Sequence, residues 1–583
     1  MYQWHWQTAV KTTAPLILLR TALRLTLLKI SLRLKRYAYR RLTTCVKTLS
    51  ISLNINRNPT TATMVVVASV IIAVVFNFPF ISNVYEFVHP NTLKEWLFIF
   101  SIPVLLTCIN IIFFTLVGAI FIPRLLVATM LLISAFLFYA MLIYGVIFDS
   151  TMIQNVIETD SGEALSYVNP SLIVFTIFLA ILPIFIVFRQ HVRGVFITRL
   201  SSLFLPNVIA LIAIAVIGAV LYKDYAAVGR NHKALVKHIV PYAFYDATYK
   251  YVKTNYLLPP LPFSVLDPQP VIEQSSVIHP KTLVVVVGET ARADKFGSNG
   301  YPRDTTPNIQ SLGALSFSNV SSCGTATAVS VPCMFSRLAR TEYDSRTASS
   351  QDNVLDIIHR AGVNVSWIDN NSSCKGVCRR IDTIGFDPKR DPSLCDGDFC
   401  YDQVLLNLLS ASLKNATNQN RVIVLHMIGS HGPTYYRRYP ATFKKFTPDC
   451  PRSDIQNCDE EQLLNTYDNT IAYTDYILGQ TIQLLDTIPN SAMLYISDHG
   501  ESLGEKGLYL HGFPYNFAPD EQTHVPMVYW DRQFTNLAYK TCLQQKLSTP
   551  MSQDNLYDTL LGLSRVKSTT YRPQLDVFKS CRA

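Results

Sequence analysis

Two hydroxyl side chains, Thr325 and Thr327, follow Gly324 at the predicted start of a helix, between Cys323 and Cys333. A helix N-terminus presents unpaired N–H donors and the positive end of the helix dipole, so it favours a phosphate group and an attacking alkoxide. The segment is therefore a candidate for a hydroxyl nucleophile on an anion site. The alternative is an ordinary capped helix in a disulfide-bonded domain.

Two carboxylates and an imidazole, those of Glu289, Asp498 and His499, come directly after predicted buried strands. This mixture of oxygen and nitrogen ligands suits Zn²⁺, and a catalytic zinc keeps a fourth position open, here for Thr327 or a phosphate oxygen. Zinc bound to the hydroxyl of Thr327 would lower its pKa, which matters because an unactivated threonine is a poor nucleophile. An isolated Asp-His pair is usually a surface turn. Here polar residues follow three predicted strands, at 288–290, 426–433 and 497–501, and together they favour a metal centre.

Two loop histidines, His431 and His511, are candidates for three roles: protonating the leaving group, binding a second metal, or holding phosphate oxygens. The simpler alternative for each is a histidine hydrogen-bonded to the backbone. His426 lies on a predicted strand, and we interpret it as a buried supporting residue rather than a ligand.

Four short apolar runs supply the strands that must position these groups, namely residues 283–287, 422–425, 493–496 and 525–530. Continuous rather than alternating apolar strands predict a sheet covered on both faces, which indicates an α/β domain with a mostly parallel central sheet. Functional residues are then expected at the carboxyl ends of the strands.

The mean hydropathy of +0.21 is high for a soluble protein and low for a membrane bundle, so we expect two parts. A bilayer crossing needs about 20 apolar residues, and five uncharged runs reach this length: 58–85, 96–123, 125–148, 164–188 and 200–222. The predicted domains are a basic N-terminal extension (1–57), a transmembrane domain of five helices (58–222), a bridging helix with a proline-stiffened linker (223–280), and a polar domain (281–583).

The basic charge of the chain is concentrated near residue 1. Residues 1–60 carry eleven Lys and Arg and no Asp or Glu, whereas residues 223–583 carry equal numbers of basic and acidic side chains. The pI near 8.9 therefore does not indicate a nucleic-acid partner. Residues 11–42 are either a helix on the anionic inner leaflet or a disordered tail that fixes topology.

Charged loops between the apolar runs set the predicted orientation. Arg124 follows the second run and Arg189 the fourth, whereas the loop after the third run is acidic. The positive-inside bias places the N-terminus in the cytoplasm, and five crossings then place residues 223–583 on the opposite side. We expect no cleavable signal peptide, because the first apolar run comes late and is long enough to span.

Ten of the twelve cysteines follow the fifth apolar run, which favours disulfides in an oxidising compartment. Spacing predicts four close pairs and leaves a fifth by elimination: Cys323–Cys333, Cys374–Cys378, Cys395–Cys400, Cys450–Cys458 and Cys542–Cys581. Zinc thiolates at the second and third pairs are the alternative, which the predicted compartment disfavours. Sequence alone does not fix the connectivity.

Five motifs resemble those of the bacterial lipid A phosphoethanolamine transferases, whose relatives include the mobile colistin-resistance enzymes; the motifs lie at residues 288–293, 299–307, 323–333, 369–378 and 497–505. The resemblance covers nearly all of residues 60–583. It implies a multi-pass enzyme of the bacterial inner membrane whose periplasmic catalytic domain belongs to the alkaline phosphatase/sulfatase superfamily. The implied donor is phosphatidylethanolamine and the implied acceptor is lipid A or lipopolysaccharide. We expect a monomer among membrane lipids, and resistance to polymyxins as the consequence.

Residue roles follow from the same resemblance. Thr327 is the implied nucleophile, and it holds one zinc together with Glu289, Asp498 and His499, while Thr325 is a bystander. The resemblance also leaves room for a second zinc. The positions implied around the phosphoethanolamine group or that second zinc are Asn371, Lys375, His431 and His511. The positions implied to bind a lipid head group are Asn155, Thr159 and Glu163.

The spacing of Asn155, Thr159 and Glu163 predicts that they share one helix face, where Glu163 would hold an ammonium group. Without the resemblance, a solvated interfacial face is the simpler interpretation. Two features depart from the family pattern: the extension 1–57, and Gln553, where relatives are expected to have histidine.

The activity expected of the chain is zinc-dependent transfer of phosphoethanolamine through a phosphothreonine intermediate. Three alternatives stay open: transfer to core sugars or another periplasmic glycan, a glycerol phosphate transferase like lipoteichoic acid synthase, and a non-enzymatic scaffold. The catalytic motifs describe the donor chemistry better than the acceptor. The intact set of Thr327, Glu289, Asp498 and His499 argues against the scaffold.

Overall fold

The computed structural model describes residues 60–118, 121–159, 161–190, 192, 195–231, 233–273, 281–386, 391–397, 399–414 and 419–582. The basic extension 1–57 lies outside these residues. Thr61–Phe188 and Gly194–Ala583 together form one compact unit, in which membrane helices and the sheet-containing domain pack on each other.

Within the described residues, four helices are long and apolar enough to cross a membrane: Leu93–Val117, Pro123–Tyr144, Pro170–Arg189 and Phe196–Arg230. Before them, Thr61–Phe76 and Phe78–Val88 are bent by 51° relative to each other and make a fifth span only if the pair is counted as one. The five predicted runs therefore correspond to four long helices and one bent pair.

Asn77 lies at the bend of this first pair, between a π-helical turn, Ile72–Phe76, and a proline-containing first turn of the next helix. Its side-chain amide donates to the carbonyl oxygens of Ile72 (2.9 Å) and Val240 (2.8 Å), and its Oδ1 accepts from the Val240 N–H (2.9 Å). Ile72 O thus accepts from both the backbone and the side chain of Asn77, and the two bonds to Val240 fix the bend to the segment that follows the last membrane helix.

The segment predicted as a bridging helix and linker contains several helical pieces. The last membrane helix continues to Asn231 and is followed by Lys233–Val236, Tyr242–Val252 and a π-helical turn at Lys253–Leu257. The proline-rich part is fixed to the domain that follows, because Ser264 N donates to Ser350 O (2.7 Å) and Leu266 N donates to Asp352 Oδ2 (2.9 Å).

An eight-stranded sheet forms the centre of the polar domain. Its strands in chain order are β1 (Thr282–Gly288), β2 (Leu315–Ser321), β3 (Asn364–Asp369), β4 (Asp382–Ile384), β5 (Arg421–His426), β6 (Ser491–Ser497), β7 (His524–Asp531) and β8 (Met551–Ser552). The spatial order is β8-β2-β7-β6-β1-β5-β3-β4. Two short ribbons, Val271–Ile272 with Val566–Lys567 and Ser502–Leu503 with Tyr509–Leu510, lie outside it.

The sheet is mostly parallel, as predicted, but β7 runs antiparallel to both of its neighbours. The expectation that the run 525–530 is one of the parallel strands was therefore wrong. The connection from β6 to β7 contains the ribbon of Ser502–Leu503 with Tyr509–Leu510, and its one α-helix is the four-residue Asp520–Thr523, immediately before β7. Without a crossover helix, the chain returns from the edge at which β6 ended, so β7 begins at the functional edge.

Two hydrophobic cores cover the two faces of the sheet. In β1, Leu283, Val285 and Val287 belong to the core that includes helices Val354–Arg360 and Leu556–Leu563. The alternate residues Val284 and Val286 belong to the core that includes Gln403–Lys414 and Glu460–Asp486. The prediction of a sheet covered on both faces is thus confirmed, and the second core also contains Tyr139 and Tyr144 of a membrane helix.

Five disulfides connect the predicted pairs: Cys323–Cys333, Cys374–Cys378, Cys395–Cys400, Cys450–Cys458 and Cys542–Cys581. Besides the helices already named, the polar domain contains the α-helices Pro307–Ser311, Thr327–Phe335, Ser345–Ser349 and Leu537–Gln544. The first disulfide joins the loop before Thr327–Phe335 to the helix itself, so it constrains the segment that carries the predicted nucleophile.

Candidate active site

The predicted metal ligands meet at the carboxyl edge of the sheet. Glu289 follows β1, and Asp498 and His499 follow the adjacent parallel strand β6. All three side chains are buried, and one ligand atom from each lies within 4.8 Å of the others. The strand-end argument therefore located this cluster correctly.

Thr327 is the first residue of helix Thr327–Phe335, with Ala326 in an extended N-cap conformation. Its Oγ1 lies 3.1 Å from Glu289 Oε2 and 3.4 Å from His499 Nε2. The hydroxyl of Thr325 instead donates to the carbonyl oxygen of Phe513 at 2.6 Å. Of the two predicted hydroxyls, only that of Thr327 contacts the cluster.

The donor set fits a tetrahedral divalent cation. His499 Nδ1–H donates to Gly500 O (2.9 Å), so the lone pair of Nε2 points toward Asp498 Oδ2 at 3.3 Å and Glu289 Oε1 at 3.5 Å. Ligand atoms around zinc with bonds of about 2.0 Å are separated by roughly 3.3 Å. Among the described residues, Asp498 Oδ2 has no hydrogen-bond donor although it is fully buried. A cation would satisfy this convergence of acceptor atoms.

Burial opposes charge in this cluster in the absence of a cation. It raises the pKa of Asp498 to about 6 and lowers the pKa of His499 well below its usual value. A neutral imidazole is the form that ligates a metal, and a bound cation would favour the ionised carboxylate.

Hydrogen bonds orient the ligand side chains. Asn371 Nδ2 donates to Glu289 Oε2 (2.8 Å) and to Met427 O (2.9 Å). Asp498 Oδ1 accepts from the backbone N–H groups of Thr290 (3.1 Å) and His499 (2.7 Å). Asn371 thus contacts a carboxylate of the cluster, in addition to the substrate or second-zinc role that the resemblance implies.

Gln553, at the position where histidine was expected, joins the two halves of the site. Its side-chain amide donates to the carbonyl oxygens of Ser497 (2.7 Å) and Asp498 (2.8 Å). Its Oε1 accepts from Cys323 N (2.6 Å) and from the hydroxyl of Ser330 (3.0 Å). A glutamine can donate and accept at once, so Gln553 connects the segment before helix Thr327–Phe335 to the end of β6.

His431 and His511 lie next to the same cluster. The His511 ring is 4.5 Å from that of His499 and 5.5 Å from that of His431, measured between centroids. His431 Nδ1–H donates to Gly432 O at 2.7 Å, and His511 Nδ1 lies 3.2 Å from Glu501 Oε1. Burial lowers the pKa of His431 and raises that of Glu501. Sequence reasoning missed Glu501, although it stands in the segment 497–505 that carries a motif.

His426 is fully buried on β5, and its Nδ1 lies 3.1 Å from Asp369 Oδ1. Its ring packs edge-on against Trp367 at 5.4 Å. The interpretation of His426 as a buried supporting residue is therefore confirmed.

Lys375 connects the site to a membrane-side helix. Its Nζ donates to Ser372 Oγ at 3.0 Å and lies 3.6 Å from Glu158 Oε2. Glu158 ends helix Ser150–Glu158, which contacts helix Thr327–Phe335. Sequence reasoning missed Glu158, because nothing in local spacing indicates an ion pair between residues so distant along the chain.

The prediction that Asn155, Thr159 and Glu163 share one helix face was wrong. The first helix ends at Glu158, Thr159 is extended with ψ of 128°, and a second helix begins at Ser161. Thr159 uses its N–H (2.9 Å) and hydroxyl (2.7 Å) to satisfy the carbonyl oxygen of Asn155. This local hydrogen bonding ends the helix and breaks the expected period. The side chain of Glu163 is outside the described part of the chain.

Two family models match the chain: Sulfatase over residues 281–566 and Phosphoethanolamine transferase EptA/EptB over residues 106–256. The chain is 40% identical over 524 residues to phosphoethanolamine transferase EptA of Salmonella typhimurium, covering 88% of this chain and 95% of that protein. It is 38% identical over 426 residues to phosphatidylethanolamine transferase Mcr-1 of Escherichia coli, covering 70% and 78%.

A solved structure extends this similarity to the whole architecture. The integral membrane lipooligosaccharide phosphoethanolamine transferase A of Neisseria meningitidis superposes with a TM-score of 0.83 at 35% identity, covering 90% of this chain and 99% of that one. Together, these matches show that the chain belongs to the EptA/EptB phosphoethanolamine transferase family, with a catalytic domain of the sulfatase type.

Proposed function

We propose that this chain is a membrane-bound enzyme that transfers phosphoethanolamine from phosphatidylethanolamine to a phosphate group of lipid A, with Thr327 as nucleophile. The observation that carries this proposal is the contact of Thr327 Oγ1 with Glu289 (3.1 Å) and His499 (3.4 Å) in a member of a phosphoethanolamine transferase family. The relatives named above supply the substrate class.

Glu289, Asp498 and His499 would hold one zinc, with Thr327 as the fourth ligand. Zinc, when bound there, would lower the pKa of the threonine hydroxyl and stabilise negative charge on a transferring phosphoryl group. His431 and His511 lie within reach of the same region, and they would hold phosphate oxygens, protonate the leaving group or bind a second zinc.

In the first step, Thr327 Oγ1 attacks the phosphorus of phosphatidylethanolamine, and the bond from phosphorus to the diacylglycerol oxygen breaks. Diacylglycerol leaves with a proton and the enzyme carries phosphoethanolamine on Thr327. In the second step, an oxygen of the lipid A phosphate attacks the same phosphorus, the bond to Oγ1 breaks, and the threonine hydroxyl is restored. A covalent intermediate divides one difficult transfer into two easier ones.

We further propose an inner-membrane location with five crossings, the N-terminus in the cytoplasm, and residues 281–583 in the periplasm. The five disulfides support an oxidising compartment for this domain. Each added ethanolamine carries an amine that reduces the negative charge of the outer surface, so polymyxins and other cationic peptides would bind less. We propose that the enzyme acts as a monomer among membrane lipids.

Mass spectrometry of extracted lipid A tests this function. Cells that express the chain should show lipid A with an added phosphoethanolamine, and cells that express Thr327→Ala should not. Modification of core sugars with unmodified lipid A would identify the alternative acceptor. Addition of glycerol phosphate would identify the alternative donor chemistry.

A further inference from the structure

A cavity of about 200 Å³ lies beside the helix that carries Thr327. Ala328 and Pro332 of that helix form one wall. Gln154 and Glu158 of the membrane-side helix form another, and Asn255 of the π-helical turn adds to it. The cavity therefore lies between the nucleophile's helix and elements that come from the membrane side.

The lining is polar and carries an excess of positive charge. Four cationic side chains and one carboxylate, that of Glu158, contribute to it: Arg346, Lys375, Arg379 and Arg380. The carboxylate of Glu158 lies 3.6 Å from Lys375 Nζ, so it pairs with the lysine and not with a guanidinium group.

The three arginines differ in how their charge is compensated. Arg380 forms an ion pair with Asp356 at 2.6 Å, whereas in the described part of the chain the guanidinium of Arg346 donates to one acceptor, the carbonyl oxygen of Pro259. Among the residues that the structure describes, Arg379 has neither a carboxylate partner nor a side-chain hydrogen bond. Among the described side chains, the guanidinium groups of Arg346 and Arg379 thus have no carboxylate partner.

We propose that this cavity binds the phosphate monoester of the acceptor glycolipid, with Arg346 and Arg379 as its anion-binding residues. The proposal rests on the function proposed above. A guanidinium offers planar, paired N–H donors that match phosphate oxygens, and it stays charged at all relevant pH values. Lys375 lines the cavity and donates to Ser372 Oγ, and Ser372 in turn donates to Asn371, the residue that contacts Glu289.

The charge of the lining distinguishes the acceptor from the donor. The donor head group carries an ammonium as well as a phosphate, and the charges of Arg346 and Arg379, which have no carboxylate partner among the described residues, would repel that ammonium. A phosphate monoester carries between one and two negative charges and no cation, so it complements this lining. Ala328, the residue directly after Thr327, lines the cavity, so the cavity lies beside the segment that carries the nucleophile.

Two separate measurements on the purified full-length enzyme with zinc test the proposal. The first is diacylglycerol release from phosphatidylethanolamine without acceptor, which reports the donor step. The second is phosphoethanolamine transfer to lipid A that bears its phosphates, with dephosphorylated lipid A as the comparison. The variants are Arg346→Gln, Arg379→Gln and the charge-retaining Arg379→Lys. Arg532→Gln is the matched control, because Arg532 follows β7 at the opposite edge of the sheet.

We expect each glutamine variant to raise the KM for lipid A by about tenfold, the loss of one charge-assisted contact. Diacylglycerol release should stay within twofold of the wild type, Arg379→Lys should recover part of the affinity, and Arg532→Gln should match the wild type. Equal losses in both measurements would make the cavity a donor site and overturn the proposal, as would an unchanged KM. A wild type that releases diacylglycerol but modifies no phosphate-bearing acceptor would instead refute the proposed function itself.

Discussion

Asn371 Nδ2 donates a 2.8 Å hydrogen bond to Glu289 Oε2, the same oxygen that lies 3.1 Å from the hydroxyl of Thr327. A second bond from the same amide nitrogen, to Met427 O at 2.9 Å, fixes the direction of the amide. The orientation of the carboxylate, and with it the position of the nucleophile, therefore depends on a side chain from a different strand end.

Replacing Asn371 should weaken zinc binding. Residues that orient metal ligands typically contribute about 10- to 100-fold in metal affinity, so we expect Asn371→Ala to lower zinc affinity by that factor. Competition with a chromogenic chelator measures it on the full-length protein. Asn319→Ala is the matched control, because Asn319 is exposed and bonds only to Ser548 O. Equal affinities for the two variants would contradict the orienting role.

Replacing Thr327 and Thr325 by alanine one at a time should show which of the two is the nucleophile. Thr327→Ala should lower transfer by at least about 10³-fold, and intact-mass analysis should find no phosphoethanolamine adduct. Thr325→Ala loses one hydrogen bond to Phe513 O, which costs about 1 kcal/mol of stability, and should retain transfer within a few-fold. The opposite pattern would show that the adduct forms on Thr325.

Truncating Gln553 should destabilise the site, since it leaves two carbonyl oxygens and one N–H without their buried partner. We expect Gln553→Ala to lower the free energy of unfolding by about 2–3 kcal/mol, seen as a lower Tm. Gln553→His should recover part of this loss, because one ring N–H can donate. The control is Gln533→Ala, whose exposed side chain bonds to Asn490. A Tm loss no larger than that of the control would refute the joining role.

Asp475 should make stability depend on pH. It is buried beside the start of helix Pro307–Ser311, where it accepts from Asn308 N (2.8 Å) and Ile309 N (3.0 Å). Burial raises its pKa to about 6, above the value near 4 of an unfolded chain. The folded protein thus holds a proton that the unfolded chain releases, so this contribution to stability is present below pH 4 and is lost as pH rises through 6.

Comparison of wild type with Asp475→Asn isolates that contribution, because the amide does not titrate. Between pH 4 and pH 7, the stability of the wild type relative to the variant should fall by up to about 3 kcal/mol. Thermal unfolding at several pH values measures the difference. A Tm difference that stays constant over this range would show that Asp475 has no raised pKa.

The distribution of apolar and polar residues along the chain predicted the central strands and the position of the candidate metal ligands. Continuous apolar runs located the strands β1, β5 and β6, and the polar residues that follow β1 and β6 form the cluster of candidate metal ligands. Such patterns record burial, which is a local property of a segment. They do not record direction, so the reversal of β7 was missed, since it depends on how the preceding connection returns.

Individual side-chain contacts could not be predicted from the sequence either. The bend at Asn77 is held by Val240, and the ion pair of Glu158 joins a membrane-side helix to Lys375 in a disulfide loop. The helix end at Thr159 depends on a hydroxyl that bonds to the preceding turn, where a period of four residues suggested continuation. Each depends on hydrogen bonds or an ion pair between particular atoms, which hydropathy does not encode.

The wall that Gln154, Glu158 and Asn255 contribute to the cavity comes from outside residues 281–583. A fragment limited to those residues would fold around its own sheet but would leave the flank of the nucleophile's helix open to bulk solvent. We expect water to hydrolyse the phosphoethanolamine ester of Thr327 in such a fragment, so that the group is not transferred. The membrane-side segments would then be what makes a transferase out of a phosphodiesterase.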